Sequence, residues 1–479
     1  VYEFLEEYCG VHWYLPSEAG MVFPQAKRLT VRMGAPIRRR TDFRSTSFYP
    51  YQVNGKMFCP PDTPDLGDDA PESDMEKWRR NLWTIPVTTG DMLPVAEVQR
   101  WLLRNKVGGD PYGPNHSFGQ WLERFGREHP EWFSYKSRER IEEILAKGDL
   151  KAFNEFHMTG EPCLTAPGVF EQKMADARDN LDKQRGGAPA PPGTPRFFSI
   201  VPNDNYVWCQ CPTCKPLYDK PVVDCPLWGS ATGRASSYVW EFVNRAAREI
   251  RKTHPEGWVG GIGYHDYMPP PRDFTLEPNV GVTICTYLGN WTPDLRETAY
   301  GLIRAWRDQA KCQWIGLWEY FCYCAMSQYE PMFPKVCPKL MGEDVKRLHK
   351  MGVLAEFIET EEIYRFKDAP DRGWAIWSNP IWLYLNVWTR FKLWDDTSRD
   401  VNRLLSDHYR LFYGPAAKPI QAFFERIEAR VTDPSLRGPK TFTDLGGNKQ
   451  MADWTYLFPP EVMKELRVFV DQATALATE

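Results

Sequence analysis

From residue 197 to residue 358 the apolar positions fall into two alternating spacings. Short apolar runs at 197–201, 258–264, 280–286, 313–318 and 353–358 have the length of buried strands. Stretches 236–253, 294–310 and 341–350 instead carry apolar residues three and four apart, the spacing of one helix face. Upstream, a first strand is predicted over 40–48, a polar, Pro-rich insertion at 56–77, a helix near 117–127 and another at 168–184, followed by a Gly-, Ala- and Pro-rich loop. Strands that alternate with helical crossovers predict a parallel sheet, because each parallel return needs a dozen or more residues. Polar and acidic residues lie just past several strands spread over the whole region, as in a barrel, whereas an open sheet gathers them at one switch point. The expected fold is therefore α/β, a (β/α)8 TIM barrel over residues 36–373.

The flanks read differently. Residues 1–8 open inside an amphipathic helix that a left-handed Gly10 is expected to stop, and Pro16, Gly20 and Pro24 punctuate the segment beyond it. Residues 1–35 are predicted to be the C-terminal part of a small α/β domain. No Met start or signal region precedes them, so the chain is read as beginning inside a longer protein, and a secreted or periplasmic location stays open. Residues 374–479 are predicted to be a helical region with helices in 380–410, 415–431 and 460–477. The polar run Trp394-Asp395-Asp396-Thr397-Ser398-Arg399-Asp400 is expected to divide the first, an Asp or Thr there capping the free amides.

Charge narrows the partners. With 59 basic and 63 acidic side chains, a formal charge of -4 and no long basic run, the chain lacks the clustered cations that track phosphates. No apolar run is long enough for an ordinary membrane span. The 20 Trp, 22 Tyr and 26 Phe include rings beside polar groups, as in Trp13-Tyr14, Trp318-Glu319-Tyr320 and Trp377-Ser378-Asn379. Such rings serve as platforms for the apolar faces of sugars or simply fill a core. A carbohydrate is the expected partner.

Glycosidic hydrolysis needs two carboxyl groups facing each other across the sugar, about 5 to 5.5 Å apart for retention and about 6.5 to 9.5 Å for inversion. Glu319, read as ending an apolar strand between two aromatic residues, is the sharpest candidate. Asp204 follows the strand ending at Val201, with Asn203 and Asn205 as hydroxyl readers or turn formers. Glu356 and Glu359 on the last strand are alternatives for the second acid. His265 and Asp266, after the strand at 258–264, suit substrate binding, tuning of an acid or a local turn network, and His116, Arg40, Trp318 and Tyr320 are further contact candidates. Cys209, Cys211, Cys214 and Cys225 form the dense group among 12 cysteines, and their spacing fits a structural zinc, a local disulfide or reduced thiols that buttress the loop. No other cofactor is expected, since no Gly-rich nucleotide loop, metalloprotease helix or nucleophile elbow is present.

Several segments taken in order resemble the bacterial DUF4838 family, part of which is classified as glycoside hydrolase family 163. They are residues 4–14, His129-Pro130-Glu131-Trp132-Phe133, Pro202-Asn203-Asp204 with Cys209-Gln210-Cys211-Pro212-Thr213-Cys214, Trp318-Glu319-Tyr320, Leu393-Trp394-Asp395, and residues 412–417. The resemblance implies a TIM-barrel catalytic domain behind a small α/β domain. It also implies a retaining endo-β-N-acetylglucosaminidase-like activity in glycan degradation, with Asp204 and Glu319 at the strand ends bearing the acids. That family uses a pair of glutamates, and Asp204 departs from it. A glycan-binding protein that keeps the scaffold without catalysis is the alternative, and a polysaccharide lyase a weaker one.

Overall fold

The computed structural model describes residues 1–16, 18–24, 41–49, 95–134, 160–186, 195–204, 208–218, 232–286, 293–321, 336–360, 380–436 and 457–477, with short pieces between 86 and 92, 138 and 146, and 364 and 375. At the N-terminus, α1 (Tyr2–Glu7) leads through Gly10, whose φ of 67° is left-handed as expected, to the antiparallel pair β1 (His12–Trp13) and β2 (Met21–Val22).

Six strands then form one parallel sheet: β3 (Ser45–Tyr49), β4 (Arg196–Ser199), β5 (Gly257–Gly263), β6 (Val280–Thr286), β7 (Trp314–Phe321) and β8 (Val353–Thr360). Their order is β3-β8-β7-β6-β5-β4, so the last strand lies between its predecessor and the first strand, with Ala355 opposite Ser45. An eight-stranded barrel was expected; the described residues form a curled half-barrel that has the last-to-first pairing of a barrel but not its full closure. All seven residues of β6 are buried, as expected of a strand covered on both faces.

The pleat sorts side chains between those faces. On one, Val282, Ile284, Ile315, Leu317 and Ile358 join the main apolar core with the tryptophans of the covering helices. Helices α2 (Val95–Arg104) and α3 (Val169–Gly186) come earlier in the chain, and the covering helices are α4 (Ser236–Thr253), α5 (Pro293–Asp308) and α6 (Pro338–Lys350). Here Gly261 makes room for the Trp240 ring, which would lie 2.7 Å from an added Cβ. On the opposite, concave face the buried Tyr112 ring lies over Gly260, Gly281 and Gly316 on three successive strands, with added Cβ atoms falling 3.0 to 3.5 Å from it. Thr283 Oγ1 donates to the Tyr112 hydroxyl at 3.0 Å, and Phe197 and Trp314 enclose the ring. The segment carrying Tyr112 crosses this face from Ser45, which bridges Gly109, to Val201, whose carbonyl accepts from Ser117 N at 3.0 Å.

Among the described residues four further helices follow the sheet: α7 (Pro380–Asp395), α8 (Val401–Tyr413), α9 (Ala417–Thr432) and α10 (Pro460–Ala477). The predicted break is present, and Asp400 caps α8 by accepting from Arg403 N at 2.8 Å. Tyr14 packs its ring against Trp388, His408 and Phe412, and Glu6 pairs with Lys392, so the N-terminal segment is seated on α7 and α8.

Candidate functional site at the concave mouth

Strand parity decides which acids face the concave side. Gly316 and Ala355 pair in register and share the face of Tyr112, so Trp318, Tyr320, Phe357 and Glu359 follow them to the mouth at the C-terminal strand ends. Glu319 and Glu356 take the other face. The fully buried Glu319 accepts a 2.8 Å hydrogen bond from Thr286 Oγ1. Glu356 pairs with Arg390 on α7, both side chains fully buried, and accepts from Trp394 Nε1 at 2.5 Å. The charges of Glu356, Glu319 and Asp344 together hold the Arg390 guanidinium protonated against the effect of burial. The sequence reading ended β7 at residue 318, which left Glu319 free at a strand tip; β7 runs to Phe321, and the pleat turns Glu319 toward the helices.

The mouth holds a different set. Glu359 is buried, and its Oε2 accepts from Trp318 Nε1 at 2.5 Å. The half-buried Trp318 lies edge-on to Phe357 at 4.6 Å and near Tyr320 at 6.1 Å. Asp204 is exposed at the rim after β4. On the concave face of β6, burial raises the Cys285 thiol well above the usual range, and the charges of Glu359 and Asp204 add to that rise. A cavity of about 160 Å³ opens beside Trp318, between Tyr112 and Thr283 on one side and Ser47 and Phe357 on the other.

Two histidines lie near the loop that carries Asp204. Burial pushes His265 down to about 4, against the pull of the Asp204 and Asp266 carboxylates, so its ring is neutral at pH 7. Its φ of 44° is left-handed, a conformation that costs a side chain bearing a Cβ and that often marks functional positions. Its ring lies 3.7 Å from that of Tyr264, which in turn neighbours the His116 ring at 6.1 Å. His116 Nδ1 is hydrogen-bonded to the Pro202 carbonyl.

The remaining sequence candidates brace the loops. Asp266 accepts from Trp208 Nε1 at 3.1 Å, Thr232 Oγ1 at 2.7 Å and an Arg234 nitrogen at 3.0 Å. Asn203 is buried, with Nδ2 donating to the Gly160 carbonyl at 2.9 Å and its amide to Glu161 Oε2 at 3.1 Å, so it fixes the base of the Asp204 loop. Arg40, Asn205 and Cys225 lie outside the described residues. Cys209, Cys211 and Cys214 are gathered with Cys163, all four sulfurs within 4.8 Å of one another, a group able to share a metal ion.

Sequence reasoning missed Tyr112, Tyr264, Cys285 and Cys163. The glycines inside β5, β6 and β7 were a usable signal for Tyr112, because a strand-interior glycine often marks a close approach. Among the described residues no helix is long and apolar enough to cross a membrane. Among curated proteins none matches this chain. One family model, described as domain of unknown function (DUF4838), matches residues 16–425, a span that holds the whole sheet, the cysteine loop and α7, and the chain belongs to that family.

Proposed function

We propose that the protein is a glycoside hydrolase acting on a glycan, with Asp204 and Glu359 as its acid pair and the half-barrel as part of a (β/α)8 barrel. One observation carries this reading: Glu359 is held by the Trp318 indole at the concave mouth, on the same face as Trp318 and Tyr320, with Asp204 exposed on the loop after β4. Asp204, exposed at the rim, acts as the general acid and donates a proton to the glycosidic oxygen as the C1–O bond breaks. Glu359, aimed by the Trp318 indole, or the acetamido oxygen of an N-acetylated sugar, bonds to C1 from the other side. Water then attacks C1 and passes its proton to Asp204 as the bond from C1 to Glu359, or to the acetamido oxygen, breaks. Neutral His265 hydrogen-bonds substrate or Asp204 without adding a charge. Trp318 and Tyr320 offer faces to the sugar ring. Part of the DUF4838 family that the sequence resembles is classified as glycoside hydrolase family 163, which makes complex-type N-glycans the first substrates to try.

The test is product release from N-glycoproteins and from a panel of oligosaccharides, with the anomer of the fresh product read by NMR. Released sugar that vanishes in Asp204→Asn and in Glu359→Gln supports the assignment. Glycan capture without product would make the protein a binding module, and normal turnover by Glu359→Gln would remove that residue from the pair.

A further inference from the structure

The cysteine cluster plays no part in that chemistry, yet its geometry is specific. Cys163 arrives 48 residues upstream of Cys211, carried on a short bridge in which Pro162 pairs with Phe133 and Cys163 N donates to the Trp132 carbonyl at 2.7 Å. Its sulfur stands 3.5 Å from that of Cys214 and 4.0 Å from that of Cys211. A tetrahedral zinc ion with Zn–S bonds of about 2.3 Å sets its sulfurs about 3.8 Å apart, so these spacings suit a shared ion, whereas a disulfide needs about 2.0 Å. Cys211-Pro212-Thr213-Cys214 has the two-residue spacing of a zinc knuckle, and Cys214 N donates to Cys211 Sγ at 3.3 Å, the kind of contact that steadies a thiolate ligand.

The surroundings match. Thr165 Oγ1 lies 2.9 Å and the Tyr238 hydroxyl 3.3 Å from Cys214 Sγ, two donors in an outer shell. Cys163, Cys209 and Cys214 are buried, and all four cysteines are free of disulfides. Among the described residues no carboxylate or imidazole belongs to the group, which favours a thiophilic ion over magnesium or calcium.

We infer that Cys163, Cys209, Cys211 and Cys214 form a closed tetrathiolate site for one structural Zn²⁺. Cys163 therefore takes the place that the sequence spacing gave to Cys225. The site has an architectural consequence. Residues 160–163 supply one ligand and also grip Asn203, immediately before Asp204, while Trp208, immediately before Cys209, holds Asp266. An ion here clamps both ends of the loop that carries Asp204.

The test uses the full chain purified without chelators under reducing conditions, with metal measured by elemental analysis and thiols by alkylation and mass spectrometry. One zinc per chain that survives gel filtration is expected, with Cys163→Ser losing it and Cys225→Ser keeping it. Should Cys163→Ser not fold, exchange of the wild type with Co²⁺ decides instead, since a tetrathiolate site gives intense visible d–d bands and thiolate-to-metal charge transfer. A folded wild type that takes up no zinc on reconstitution, a Co²⁺ form without those bands, a disulfide among the four cysteines, or zinc retained by Cys163→Ser and lost from Cys225→Ser would overturn the site as assigned.

Discussion

The two faces of the sheet carry acids of opposite character. On the helix face Glu319 and Glu356 are sealed among Thr286, Arg390 and Trp394. At the mouth of the concave face Glu359 is fixed through one oxygen by Trp318, and Asp204 stands in solvent. Glu356 and Glu359 sit three residues apart on one strand and end on different sides of it. An acid's position along the chain therefore says little about its role until the parity of its strand is known. A buried carboxylate facing a buried guanidinium is a structural group, because its charge is already compensated.

Substitutions on each face measure that contrast. The largest effect is expected at the mouth, where Glu359→Gln or Asp204→Asn should lower kcat by about 10⁴-fold with little change in melting temperature, as read by product release and thermal unfolding. Next, Glu356→Gln should destabilise the protein by about 3 kcal/mol, the lower end for a broken buried pair because Glu319 and Asp344 still compensate Arg390. Denaturant unfolding reads that loss, and the turnover of the surviving folded fraction should be unchanged.

Acid should act through the helical region. His408 is buried against Tyr14 and Tyr384, and burial pushes it down to about 3. Below its unfolded value of about 6.5 the unfolded chain binds a proton that the folded chain refuses. Stability present above pH 6.5 is therefore lost as pH falls toward 3, by about 2 kcal/mol between pH 6.5 and 4.5, and His408→Gln should flatten that slope in unfolding curves. The smallest effect is expected from Glu319→Gln, which keeps an acceptor for Thr286 and should retain turnover within about twofold, with a stability change of about 1 kcal/mol. A collapse of kcat with the fold intact in that variant would return Glu319 to the chemistry and dissolve the contrast between the faces.

Much of this architecture was legible in the sequence. The runs at 258–264, 280–286 and 353–358 became β5, β6 and β8 nearly as read, because buried parallel strands are written as continuous apolar stretches. The break between α7 and α8 came from the polar run ending at Asp400. The direction of Glu319 was not legible, since it depended on whether β7 ended at residue 318 or three residues later, and an aromatic-acid-aromatic run allows both. Cys163 was hidden for another reason: only the fold brings the 129–133 segment and residue 163 to the cysteine loop, and no local spacing records it. Tyr112 lay in a stretch without helix or strand periodicity, and only the glycines opposite it kept a trace of its ring.

The seating of β3 against β8 also bears on how the protein is made. Ser45 leaves the ribosome well before its sheet partner Ala355, which emerges only after the other strands of the sheet have been synthesised. Until then the edge of β3 that β8 covers stays open, while among the described residues the segment around Gly109 bridges Ser45. Pairings this distant in sequence make for slow folding and a long exposure of the nascent chain to chaperones and to self-association. A ribosome stalled before residue 353 would therefore hold a sheet with its first strand still waiting for a neighbour.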